Sequence, residues 1–156
     1  MKHFILAMAA LLSLAACSRN SGTDEPTPQP ASPIVGTWKF TGLKYINGAN
    51  STVFNPYAAS NCEGQDTFVF KADGTAVETE HSLSGSNCIV DSTTNYTYSY
   101  NAQTKELTLT EGGGTPQTHE VVRLDNNTFE YVYYNGSDES GDGVPDKSVF
   151  IYTRVN

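Results

Sequence analysis

Between Thr94 and Tyr100 the chain reads Thr-Asn-Tyr-Thr-Tyr-Ser-Tyr, with Tyr96, Tyr98 and Tyr100 on one face and Thr97 and Ser99 on the other. A period of two belongs to a β-strand whose faces meet different surroundings. A helix would turn successive tyrosines about 200° apart and bury nothing with them. The rest of the chain is punctuated to match. Asn47-Gly48, Ala72-Asp73-Gly74, the Ser/Gly-rich stretch 82–87, Gly112-Gly113-Gly114 and Asp125-Asn126-Asn127 supply residues that tolerate positive φ or cap backbone amides. Strand-like runs lie at 36–46, 66–71, 75–81, 94–100, 106–110, 117–124, 128–134 and 148–155. Short links make sequential strands antiparallel neighbours. The expected fold is therefore all-β, an eight-stranded antiparallel up-and-down β-barrel over 34–156, because closure removes both exposed edges. An open sandwich is the competing arrangement. Gly42 marks a bend inside the first strand. The longest excursion, 47–65, is expected to hold a short helical turn around Phe54–Ala59.

The residues before Ile34 do not belong to that pattern. Lys2 precedes an apolar run, Phe4 to Leu12, and then Ser13-Leu14-Ala15-Ala16-Cys17. A positive start, a short apolar stretch and small residues before a cut read as an export signal. The run is shorter than the ~20 residues that span a bilayer. Leu14-Ala15-Ala16-Cys17 resembles the lipobox of bacterial lipoprotein signal peptides. That resemblance implies a signal peptide over 1–16, cleavage before Cys17 and acylation of its sulfur. Two or three acyl chains anchor a protein stably. Ser18 follows the cysteine where an acidic residue would signal inner-membrane retention in such proteins, so the implied address is the outer membrane of a Gram-negative cell envelope. Residues 17–33 carry Pro26, Pro28, Pro30 and Pro33 among polar residues. They have almost nothing apolar to bury and read as a disordered tether.

Seventeen acidic against nine basic residues give a net charge of −8. A nucleic-acid partner calls for the opposite sign, and so does docking on anionic lipid through a basic patch. With Cys17 acylated, Cys62 and Cys88 remain as an even pair in an oxidising compartment, which reads as one disulfide. No Gly-rich phosphate loop, His-Glu-x-x-His or Gly-x-Ser-x-Gly occurs. His81 and His119 stand alone on predicted strands. No catalytic residue is nominated, and the expectation is a protein that is not an enzyme.

Gly36-Thr37-Trp38 on the first strand is similar to the Gly-x-Trp motif of lipocalins, and Arg154 stands on the last strand where lipocalins place an Arg over that Trp. Together with Cys62-Glu63-Gly64-Gln65-Asp66-Thr67-Phe68-Val69-Phe70-Lys71-Ala72-Asp73-Gly74-Thr75 and the closing Tyr152-Thr153-Arg154, the order resembles the lipocalin-like domains of bacterial lipoproteins. The lipocalin Thr-Asp-Tyr segment has no recognisable counterpart. The resemblance implies a barrel closed by Gly36, Trp38 and Arg154.

Two sets of residues are candidates for ligands. An eight-stranded barrel has room for packed side chains or one small ligand. Inward Phe68, Phe70, Tyr96, Tyr98 and Tyr100 would suit a small apolar or aromatic molecule. If those residues with Leu107 and Leu109 fill the interior, the domain is instead a structural or interaction module acting through its loops. Separately, Asp138-Glu139-Ser140-Gly141-Asp142-Gly143-Val144-Pro145-Asp146 resembles calcium loops of the Asp-x-Asp-x-Asp-Gly type and a single thrombospondin type 3 repeat. Asp138, Ser140, Asp142, the Val144 carbonyl and Asp146 would be the ligands. A solvated hairpin loop without an ion is the other reading.

Overall fold

The computed structural model describes residues 32–155. The signal peptide expected over 1–16, Cys17 and most of the expected tether lie outside the described residues. Nine strands follow one another: β1 (Gly36–Ile46), β2 (Val53–Ala58), β3 (Thr67–Phe70), β4 (Thr75–Ser84), β5 (Asn87–Asn101), β6 (Glu106–Glu111), β7 (Gln117–Leu124), β8 (Thr128–Asn135) and β9 (Lys147–Val155). The only helical element among the described residues is a 3-10 turn at Glu63–Gln65. All pairings are antiparallel. The sheet runs β2-β1-β3-β4-β5-β6-β7-β8-β9, and β1 pairs again with β9. Eight strands, β1 with β3 to β9, thus form a closed up-and-down barrel, and the sandwich is excluded.

The ninth strand corrects the helical turn expected at Phe54–Ala59. Those residues form β2, which pairs with the second half of β1 while β3 pairs with the first half. Gly42 makes the exchange possible. It lies at the irregularity in the β1–β9 register, at φ +155°, and a Cβ there would collide with the backbone carbonyl of Tyr57 on β2. Only a residue without a side chain lets a third backbone approach at this point.

The stretch 82–87, expected to be a loop, is another correction. Strands β4 and β5 continue through it as far as the pair Ser84↔Asn87, leaving Gly85-Ser86 as a two-residue turn with Gly85 at φ +65°. A two-residue hairpin needs positive φ at such a position and nothing else. Ser and Asn on either side are free to pair as strand when both faces meet water.

The inward faces of the strands build one core. Ile34, Trp38, Phe68, Phe70, Ala76, Leu107, Val121, Phe129, Tyr131 and Tyr152 are buried together, with Phe40, Tyr96, Tyr98, Tyr100 and Phe150 packed against them. The alternation predicted for Tyr96, Tyr98 and Tyr100 is present. These three are half-buried, and Asn95, Thr97 and Ser99 between them are exposed.

Candidate ligand cavity

The two ends of the barrel differ. At the end where β1 starts, Trp38 and Arg154 are register partners across the β1–β9 seam. The Arg154 guanidinium carbon lies 4.1 Å from the Trp38 ring centre. Nη1 donates to the Val35 carbonyl at 2.8 Å, Nη2 to that of Pro33 at 2.6 Å and Nε to that of Asn126 at 2.9 Å. The Trp38 indole N–H donates to Ile34 O at 2.8 Å. One side chain therefore joins the entering segment, the last strand and the β7–β8 turn. Gly36, at φ +143°, leaves the space that Arg154 Nη1 occupies, since a Cβ there would overlap it.

Above this seal the interior is filled with rings. Phe68 and Phe70 lie 4.3 Å apart, Phe70 meets Phe129 edge-on at 5.7 Å, and Phe129 stacks on Tyr131 at 5.3 Å. Edge-on and offset contacts of this kind add to the burial of the rings themselves.

Halfway along the axis the lining changes. On β4 the inward position after Ala76 is Glu78, and the next is Glu80. On β6 Leu107 and Leu109 are followed by Glu111. These three carboxylates, from two strands, line a cavity of about 740 Å3. Its aromatic wall comes from Tyr96 on β5, Tyr131 and Tyr133 on β8 and Phe150 on β9. Tyr133 stacks flat on Phe150, with centroids 4.4 Å apart and 4° between planes. His119 on β7 also lines the cavity and meets Tyr131 edge-on at 5.4 Å. Its Nδ1 lies 3.0 Å from the Val132 carbonyl. A carbonyl only accepts, so this nitrogen carries the proton. A second cavity of about 280 Å3 adjoins the first, sharing Glu78, Glu80 and Phe150 and adding Phe40, Leu43 and Asp66.

Glu78 is the polar group set deepest between the two cavities. The Tyr96 hydroxyl donates to its carboxylate at 3.0 Å. Burial pushes the Glu78 carboxyl above its ordinary value and outweighs the hydrogen bonds from Tyr96 and Tyr152 that oppose it. Burial, with the Glu78 charge adding to it, holds the hydroxyls of Tyr96 and Tyr131 above the ordinary phenol range. The Tyr96 hydroxyl thus keeps the proton that it donates to Glu78.

Of the five aromatic residues predicted to face a ligand, Tyr96 lines the larger cavity. Phe68 and Phe70 belong to the packed floor below it, and Tyr98 donates its hydroxyl to the Lys71 carbonyl at 2.8 Å. Tyr100 packs against the same floor. Alternation separates inside from outside but carries no information on depth along the axis. Sequence reasoning missed Glu78, Glu80, Glu111, Tyr131, Tyr133 and Phe150. The signal that could have found the acids is the unbroken alternation Ala76-x-Glu78-x-Glu80, which sets carboxylates on an inward face although such groups usually face water.

Cys62 and Cys88 form a disulfide, with Cα atoms 5.4 Å apart. It ties the β2–β3 connection to the start of β5, of which Cys88 is the second residue.

The acidic loop Asp138–Asp146 is ordered by its own backbone. Asp138 Oδ1 accepts from Gly141 N–H at 2.7 Å and Asp142 N–H at 3.1 Å, and Oδ2 accepts from Gly143 N–H at 2.7 Å. Asp146 is buried and accepts from Ser140 N–H at 2.8 Å and Gly48 N–H at 2.9 Å. Asn47 donates to Asp142 at 2.7 Å. The loop is thereby fastened to the β1–β2 turn. Among the described residues no group of three or more Asp, Glu, His or Cys side chains is placed to hold a metal ion. The Asp138 and Asp146 oxygens expected to face calcium accept from backbone amides of the loop and of the β1–β2 turn.

A closed ring of eight antiparallel strands in sequence order, sealed by a Trp–Arg contact at one end and hollow at the other, is a lipocalin-type barrel. The chain belongs to the lipocalin-like domain family, whose family model, described as "Lipocalin-like domain", matches residues 34–131. Among solved structures it is similar to a bovine odorant binding protein deswapped triple mutant, at 12% identity and a TM-score of 0.38, over 80% of this chain and 75% of that one. It is also similar to odorant binding protein OBP1, at 11% identity and 0.41, over 81% and 75%. A complex of bovine odorant binding protein with a selenium-containing odorant gives 12% and 0.41, over 85% and 77%. No curated protein matches the chain.

Proposed function

We propose that this chain is a lipid-anchored protein of the bacterial envelope whose barrel holds a small molecule in its hollow end. The observation that carries this reading is the cavity of about 740 Å3 above a packed floor, in the size range of small-molecule sites. A barrel used only as a scaffold gains nothing from leaving such a space unfilled beside its core, since lost packing costs stability. The aromatic wall suits a ligand with a flat or apolar portion. The lipobox-like Leu14-Ala15-Ala16-Cys17 and the proline-rich stretch behind it support anchoring through Cys17, with the barrel held off an outer membrane. The same reading assigns binding, not catalysis, to the cavity.

Native mass spectrometry of the protein purified from its own membrane tests the proposal. The expected result is an added mass of a few hundred daltons that survives gentle transfer. Gln117→Trp, which fills the cavity from the exposed start of β7, is expected to lose that mass without lowering the melting temperature. A bare protein mass, or the same adduct in both proteins, would overturn the reading in favour of a module acting through its loops.

A further inference from the structure

We propose that the cavity selects an organic cation, an amine or quaternary ammonium joined to an aromatic or aliphatic body. This rests on the small-molecule reading above and names the class of molecule. The formally charged groups lining the larger cavity are Glu78, Glu80 and Glu111, and no Lys or Arg lines it. The adjoining cavity repeats the pattern, adding Glu63 and Asp66 to the shared Glu78 and Glu80, again without Lys or Arg. Carboxylates gathered round a low-dielectric hollow raise the local concentration of cations and exclude anions.

The acids are also left without protein cations. The ion pairs among the described residues join Lys44 to Glu130, His81 to Asp66, Arg123 to Asp125 and Lys147 to Glu120. Glu78, Glu80 and Glu111 appear in none. Glu80 accepts from the Ser92 hydroxyl at 2.8 Å, and Glu78 accepts from Tyr96. Of the three, Glu78 is half-buried and answered only by hydroxyls, with Glu80 and Glu111 exposed at the mouth; a half-buried carboxylate without a cation is electrostatically incomplete, and a ligand cation completes it. The burial and like charges that push Glu78 upward mark the same deficit.

The walls make the second half of the case. Tyr131, Tyr133 and Phe150 bring three rings to the same space. Tyr131 meets Phe150 edge-on at 6.0 Å and Tyr133 lies flat on it. Ring faces attract ammonium groups within about 6 Å through their quadrupoles. Such a wall accepts the body of an amine and adds to the attraction for its head, whereas it gives a carboxylate or phosphate nothing. An anionic or neutral ligand would leave three carboxylates facing it unanswered.

The test is calorimetric titration of the full lipidated chain in lipid nanodiscs, against empty nanodiscs, with three molecules that share one ring. These are tryptamine, tryptophol and indole-3-acetate, which are cationic, neutral and anionic. The expected order of affinity is tryptamine, then tryptophol at least 10-fold weaker, then indole-3-acetate weakest. Glu78→Gln with Glu80→Gln is expected to bring tryptamine to within about 3-fold of tryptophol. Tryptophol should be unaffected, a readout that a merely unfolded variant would not give. Glu111→Gln, at the rim, repeats the test with less risk to folding. Equal binding of amine and alcohol by the unaltered protein would overturn the charge preference and leave the small-molecule reading standing. Binding of none of the three, with a co-purifying mass still present, would overturn the cation alone. Binding of none with no such mass would overturn both.

Discussion

Gly36 and Arg154 should be energetically coupled, and a double-mutant cycle can measure the coupling. Removing Arg154 forfeits the stacking over Trp38, worth roughly 1–2 kcal/mol when desolvated. It also forfeits charge-assisted hydrogen bonds to three carbonyls, of which the half-buried one to Val35 adds about 1–2 kcal/mol and the exposed ones little. Arg154→Ala is therefore expected to cost about 3 kcal/mol, a fall in melting temperature of roughly 10 °C for a domain of this size. Gly36→Ala meets two obstacles. The new Cβ overlaps Arg154 Nη1, and the backbone is at φ +143°. The overlap is with the far end of a flexible side chain, so the arginine gives way and loses its contacts. The conformational strain, about 1–2 kcal/mol, has no such escape. In the parent, Gly36→Ala should cost about 3–4 kcal/mol; once residue 154 is alanine, only the strain remains. The coupling is then about 2 kcal/mol, well above the few tenths seen between independent sites. Urea unfolding followed by fluorescence of Trp38, the single tryptophan, reads all four proteins. Additive costs would show that Gly36 is needed for its backbone alone and that Arg154 is not held by the space it leaves.

Other outcomes follow from particular contacts. Cys62→Ser with Cys88→Ser should lower stability by about 3.5 kcal/mol in the chain-entropy estimate for a separation of 26 residues, and a loss under 1 kcal/mol in chemical unfolding would count against the bond as a staple. Gly42→Ala should detach β2, because the obstructing atom is the Tyr57 backbone carbonyl; faster amide exchange confined to Val53–Ala58 and its β1 partners would show it, and unchanged exchange there would refute it. Glu78 holds its proton to higher pH in the folded state than in the unfolded chain, through burial and the Glu80 charge, so its penalty is absent below the unfolded value and grows as pH rises through the folded one. Glu78→Gln should accordingly raise the melting temperature at neutral pH and leave it unchanged below about pH 4, and a variant less stable at neutral pH would overturn that account. Millimolar calcium should give no binding heat, because the Asp138 and Asp146 oxygens are engaged by amides; a saturable signal lost in Asp138→Asn would reverse this.

Local chemistry made most of the barrel legible in the sequence. Positive-φ residues and period-two runs are decided within a few positions, so the strands at 36–46 and 117–124 and the turns at 73–74 and 112–114 could be placed from neighbours alone. Gly36, Trp38 and Arg154 were legible for a different reason, a resemblance of motif and order. What failed depended on partners distant in sequence. Phe54–Ala59 has Asn, Pro and Ala in it and looks like no strand, yet the free upper edge of β1 recruits it. Ser82–Asn87 has loop composition, yet the β4–β5 ladder runs on because nothing interrupts it. The spacing 138–146 marks a turn that gathers carboxylates, and the amides those carboxylates accept from were not legible in it. The amides of Gly141 and Gly143 reach Asp138 within the loop, whereas that of Gly48 reaches Asp146 only once the loop folds down on the β1–β2 turn.

The cavity is the instructive failure, because its residues were visible and assigned by habit. Phe68, Phe70, Tyr96, Tyr98 and Tyr100 were expected to make the ligand surface, and the acids of β4 and β6 were given no role. Along the inward faces of β4 and β6 the chain in fact passes from apolar to charged: Ala76 then Glu78 and Glu80, Leu107 and Leu109 then Glu111. The outward positions between them carry Val77, Thr79, Thr108 and Thr110. A strand that only filled a core would keep its inward series apolar to the end, as β3 does with Phe68 and Phe70. Placing Glu78 inside costs solvation that no protein cation returns here, and Glu80 and Glu111 continue its series to the exposed mouth. The inward acids are thus better understood as what the hollow end is for than as an accident of packing, and the charge of whatever occupies that end is the property on which the interpretation stands or falls.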